Sequence, residues 1–95
     1  MIERHITFDV LPDRTDEFER FFSETYRPPA LRMSGLIECG LLRSSETPAQ
    51  YRMLFRWETP EDAVAWRESE AHQALQPDLK ALHQGMQIAA FTRVA

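Results

Sequence analysis

Alternation opens the chain: Ile2, Ile6, Phe8 and Val10 share one parity, Glu3, His5, Thr7 and Asp9 the other, and Arg4 alone interrupts the apolar set. Because successive strand side chains point to opposite faces, this segment predicts a first strand with one polar face. Leu11-Pro12-Asp13 breaks it. Phe18, Phe21, Phe22 and Tyr26 then recur at three- and four-residue spacing, with Glu17, Glu19, Arg20 and Glu24 opposite, which predicts an amphipathic helix. Pro28-Pro29 should end or kink it, since proline lacks the N–H donor and disfavours helical geometry in the residue before it. A short further turn through Ala30-Leu31-Arg32 is compatible with that stop.

Gly35 punctuates the chain before two β-like runs, Leu36 to Arg43 and Tyr51 to Trp57, whose polar, proline-containing connection predicts a hairpin with a long loop. Thr59-Pro60-Glu61-Asp62 is a helix start: a hydroxyl N-cap, proline at the first helical position, and acids facing the positive helix end. Ala63 and Trp66 mark the buried side of this helix. After Ser69-Glu70 a second piece with Ala71, Leu75, Leu79 and Leu82 runs to about Gln84, with Pro77 expected to split or kink it. Gly85 then releases a last strand, Met86 to Val94. The order is βαββαβ. It predicts an α+β, ferredoxin-like domain spanning residues 1–95, a four-stranded antiparallel sheet with its helices on one face.

Helices on one face leave the other uncovered. Tyr51, Met53, Phe55 and Trp57 make one side of the third strand large and apolar, while Leu54 sits between Arg52 and Arg56 on the other side. A bare sheet face carrying apolar groups is an unusually large exposed patch, so the expectation is a homodimer in which two sheets dock.

Composition narrows the function. With 15 acidic against 11 Lys and Arg residues, and the arginines scattered, a nucleic-acid backbone is not an expected partner. No apolar run approaches the ~20 residues of a membrane span. Cys39 is the one cysteine, which excludes an intrachain disulfide and fits a reducing cytoplasm, and no Cys/His spacing resembles a metal site. Cys39 has no adjacent histidine or helix N-terminus to activate it as a nucleophile.

Four stretches resemble the antibiotic biosynthesis monooxygenase family of dimeric α+β barrels, which includes quinol monooxygenases and haem-degrading relatives. They are Asp16 to Phe22, Gly35 to Glu38, Leu54 to Glu61, and Ala65 to Leu75. The resemblance implies a pocket between sheet and helices, and a small aromatic quinol or polyketide-like phenol oxidised by dioxygen without flavin, haem or metal. Trp66 and His72 resemble the tryptophan and the polar ring of polyketide-oxidising members. A histidine titrating near neutrality suits a base that takes a phenolic proton, because the resulting anion passes an electron to dioxygen more readily than a neutral phenol does. Trp66 would stack on the substrate, with Phe22, Tyr26 and Arg56 as further substrate-binding side chains and His5 as a third member of the rim.

Each of these residues also has a plainer role. Trp66 suits a core aromatic, His72 a helix-end histidine, and Arg56 an ion pair with Glu38 or Asp9 across the sheet. Asp62 stands near an asparagine of some anthrone-oxidising relatives, but a first-turn acid already has a helix-dipole role. The haem-degrading relatives offer an alternative reaction, in which Trp66 would distort a haem. Their axial histidine falls nearer Gln76 than His72, which leaves iron without its ligand. A non-catalytic dimer that binds a small ligand is the remaining class.

Overall fold

A computed structural model describes residues 1–95. Strands β1 (Ile2–Val10), β2 (Leu36–Arg43), β3 (Gln50–Trp57) and β4 (His83–Thr92) form one sheet in the order β2-β3-β1-β4, with every neighbouring pair antiparallel. Helical segments α1 (Thr15–Phe21), α2 (Arg27–Leu31), α3 (Pro60–Glu68) and α4 (Glu70–Lys80) fill the two crossovers. This is the ferredoxin-like arrangement expected from the alternation of periods.

Register decides which residues meet the helices. Ile6 stands opposite Met53 on one side and Ile88 on the other, Phe8 opposite Tyr51 and Met86, and Arg4 opposite Phe55 and Ala90. Even positions of β1 therefore share a face with odd positions of β3. Tyr51, Met53, Phe55 and Trp57 are all buried beneath the helices, joined by Phe8, Phe18 and Tyr26. This corrects the weight placed on the β3 aromatic row: the chain's own helices cover it. The apolar groups left on the uncovered face are fewer, with Leu54 half-buried and Leu42 and Phe91 exposed.

Three local outcomes sharpen the sequence reading. The Pro28-Pro29 pair does not end the first helix. The chain widens into a π-helical turn over Phe22–Tyr26, in which the Arg27 N–H reaches the Phe22 carbonyl, and α2 then continues through both prolines to Leu31. Placing prolines in the first turn of a new segment removes donors that would have been unused there. Pro77 likewise lies inside a continuous α4. Pro77 and Gln73 are both exposed, so the turn that lacks the proline N–H lies on the outer side of α4. The last strand starts at His83, before Gly85, and pairing stops at Thr92.

Gly35, at φ 84°, occupies the left-handed region just ahead of β2. A Cβ there would lie 2.1 Å from Asp62 Oδ2, so the first turn of α3 closes against the glycine backbone.

Candidate functional site

The corner between α3 and α4 is built by one serine. Ser69 leaves helical geometry at ψ 150°; its hydroxyl donates to the Trp66 carbonyl at 2.7 Å and accepts the His72 N–H at 3.1 Å. It ends one helix and caps the next, so the seven residues from Trp66 to His72 bring the two rings together across a sharp corner. The Trp66 and His72 ring centroids are 5.1 Å apart at 72°, and Tyr26 from the π-helical turn meets Trp66 at 5.8 Å and 85° and His72 at 6.3 Å and 73°.

These three rings border a cavity of about 170 Å³ between the helices and strands β1, β3 and β4. Its wall is mainly apolar, with Ile6, Phe8, Phe55, Trp57, Leu79, Met86 and Ile88. Arg4, Arg67 and Gln76 supply the remaining polar groups. Met86 and Ile88 of β4 remain 46% and 49% exposed, so the cavity is bordered by accessible side chains there. Small size and few convergent polar groups suit a compact aromatic molecule, since drug-sized ligands occupy upwards of ~300 Å³.

Burial lowers the His72 pKa from its ordinary 6.5, helped by the charges of Arg4 and Arg67, with only the Arg67 backbone opposing. The imidazole is therefore neutral at neutral pH, the form able to accept a proton. Gln76 Nε2 lies 3.3 Å from His72 Nε2, which makes that ring nitrogen the acceptor when the amide donates; the same amide reaches the His72 carbonyl at 3.2 Å. Nδ1 is buried and has no partner in good hydrogen-bonding geometry. Burial pushes the Tyr26 phenol well above its usual value, with the Trp66 side chain as the leading opposing contact. Tyr26 thus stays a hydroxyl beside a neutral base.

The other sequence candidates are elsewhere. Phe22 is buried and stacked on Tyr26 at 6.0 Å, backing the site without lining it. His5 and Arg56 point to the uncovered sheet face. Arg56 Nε donates to Glu3 at 2.9 Å and its Nη2 lies 3.8 Å from Glu38, so the cross-strand ion pair is formed with Glu38 and with Glu3, not Asp9. His5 packs on Phe91 at 4.9 Å and lies 3.6 Å from Glu3. Cys39 is buried with its thiol pushed up to about 12, the value of a packing residue. Arg4 and Arg67 were not among the candidates. The signal for Arg4 was its own irregularity, a charge at an apolar-parity position of β1.

Residues 1–78 match the antibiotic biosynthesis monooxygenase family. The chain belongs to that family. Solved structures agree on the fold. A proposed antibiotic biosynthesis monooxygenase from Bordetella bronchiseptica is 26% identical, with 99% of this chain and 97% of that one covered and a TM-score of 0.87. One from Caulobacter crescentus is 19% identical over 99% and 90% of the two chains, at TM-score 0.89. One from Nitrosomonas europaea is 16% identical over the whole of both, at 0.87. No curated protein matches the chain. No helix is long and apolar enough to cross a membrane, and no three His, Cys, Asp or Glu side chains converge as a metal site would need.

The haem reaction seen in some of the family does not suit this cavity. Gln76, where the resemblance would place an axial histidine, is a carboxamide, which supplies no imidazole for iron.

Proposed function

We propose that this protein is a cofactor-independent monooxygenase that oxidises a small aromatic quinol or polyketide-like phenol with dioxygen. The observation that carries this reading is the corner of Tyr26, Trp66 and neutral His72 around a compact apolar cavity. His72 Nε2 exchanges its Gln76 contact for the substrate hydroxyl and takes its proton. Tyr26, held protonated by burial, donates to the other substrate oxygen, while Trp66 fixes the ring plane. The electron-rich anion then reduces dioxygen: the quinol gives up two hydrogens and gains one oxygen atom, and the second oxygen atom leaves as water. No outside reductant is needed. Excluding water with Phe55, Trp57 and Leu79 protects the anion from competing protonation.

Pairing of two copies through the uncovered face completes the proposal. Leu54 and Phe91 lie there among Glu3, Arg56 and Arg93, a mixture of apolar and balanced charged groups suited to a second identical sheet. Sedimentation at twice the chain mass is the expected result. A reducing cytoplasm, with the single thiol buried, is the proposed setting.

Oxygen uptake over a panel of hydroquinones and anthrones tests the chemistry. At least one should drive uptake, and His72→Ala should reduce it at least a hundredfold, the lower bound typical of a lost general base, with circular dichroism unchanged. Undiminished uptake in that variant would remove His72 from the mechanism.

A further inference from the structure

Two arginines in the chain are shielded from full exposure, Arg4 and Arg56, and they differ in one respect. Arg56 is flanked by Glu3 and Glu38. Arg4 makes no side-chain ion pair or hydrogen bond, although the protein carries 15 acidic residues. A partly buried guanidinium without a counter-charge is unfavourable, and a folded chain ordinarily pairs it. Arg4 stands on the helix-facing side of β1, between Phe55 and Ala90, and so reaches the cavity.

Arg67, in the last turn of α3, lines the same cavity and also lacks an acidic partner. No Asp or Glu is among the cavity-lining residues. Burial and the neighbouring Arg67 charge both push the Arg4 pKa down, so the two cations oppose each other when no anion lies between them. Within a chain of net charge −4 the cavity is thus a positive spot with an aromatic wall.

We propose that the cavity selects an aromatic ring bearing a carboxylate, which Arg4 and Arg67 bind while Tyr26, Trp66 and His72 surround the ring. This rests on the reading of the cavity as the substrate site. A planar guanidinium presents paired N–H donors matched to the two oxygens of a carboxylate, and in an apolar surround such charge-assisted bonds gain strength. The anion also relieves the repulsion between the two arginines.

Paired probes of one shape test this without relying on oxidation. 2-Naphthoate and 2-naphthamide differ in charge, and neither is a quinol. Both tryptophans of the chain, Trp57 and Trp66, line the cavity, so intrinsic fluorescence reports binding directly. At pH 7.5 naphthoate should bind at least tenfold more tightly than naphthamide. Arg4→Gln should bring the two affinities to within about threefold by weakening naphthoate, leaving naphthamide as in the unaltered protein and so demonstrating an intact cavity. Arg4→Lys should recover only part of the preference, because it restores charge without the planar fork. Equal affinities in the unaltered protein, quenching by neither probe, or a preference retained in the Arg4→Gln/Arg67→Gln pair would overturn the proposal. Charge-selective binding without any quinol-driven oxygen uptake would support the carboxylate site while refuting the oxidation reading. Uptake with equal probe affinities would do the reverse.

Discussion

Removing the Ser69 hydroxyl tests how the site is assembled. Ser69→Ala deletes both the acceptor for the His72 N–H, at 3.1 Å, and the donor to the Trp66 carbonyl, at 2.7 Å. Loss of an N-cap serine costs ~1 kcal/mol and a half-buried hydrogen bond contributes ~1 kcal/mol. Since both bonds share one oxygen, about 2 kcal/mol is the expected combined loss, with coupling between them preventing a strict sum. For a domain of this size that lowers the melting temperature by about 8–16 °C. Urea denaturation followed by tryptophan fluorescence gives the energy, and near-ultraviolet circular dichroism of the folded protein reports the Trp66 environment. Ser69→Asp keeps the acceptor but cannot donate to the carbonyl, so it should recover roughly half of the loss. A change below ~0.5 kcal/mol in Ser69→Ala, or no difference between the two variants, would refute the two-sided role of this hydroxyl.

The remaining predictions concern titration and backbone geometry. Because the folded pKa of His72 lies below 6.5, its neutral form contributes stability that is present above pH 6.5 and is lost as pH falls through the folded value. Oxygen uptake should decline over that same acidic limb, and Gln76→Glu, which sets a carboxylate beside the ring nitrogen, should move the limb to higher pH; an unmoved limb in that variant would exclude His72 as the titrating base. Gly35→Ala combines a left-handed backbone penalty of ~1–2 kcal/mol with a Cβ placed 2.1 Å from Asp62 Oδ2. Chemical denaturation should therefore show that adding Asp62→Ala to Gly35→Ala destabilises less than the two single losses predict, whereas strict additivity would rule out the contact.

What could be read from the sequence was whatever repeats with a period. The parity of Tyr51, Met53, Phe55 and Trp57 identified a face, and Thr59-Pro60 identified a helix start that the hydroxyl of Thr59 confirms by accepting the Asp62 N–H at 3.2 Å. Parity alone does not say which face the helices will choose. That choice follows from register across three strands, which is why the β3 row read as evidence for pairing although the chain's own helices bury it. The prolines left two outcomes open, an end or a kink. The chain does not end its helix at either place: a widened turn precedes Pro28-Pro29, and Pro77 lies on an exposed part of a continuous α4. For the candidate site, Trp66 and His72 were legible because only five residues separate them across a Ser-Glu corner. His5 and Arg56 lie on the other sheet face, away from the cavity.

Charge is sorted by this sheet. On the uncovered face Glu3 accepts from both Arg56 and Arg93, at 2.9 and 2.8 Å, and Glu38 lies 3.8 Å from Arg56, so these two arginines are matched by acids across the strands. On the helix-facing side Arg4 is unmatched. The Arg56 pairs lower the folding cost of placing charge on a sheet that another surface can approach, since a neutralised pair loses less on desolvation than a lone ion does. An unmatched cation has the opposite consequence, because folding retains its unfavourable burial until something negative arrives. The Arg4 position thus turns part of the chain's stability into affinity for an anion: ligand that binds the folded state alone raises stability in proportion to the logarithm of its concentration over its dissociation constant. Under the proposed reading the pairs on one face serve assembly, and the unpaired arginine on the other serves recognition.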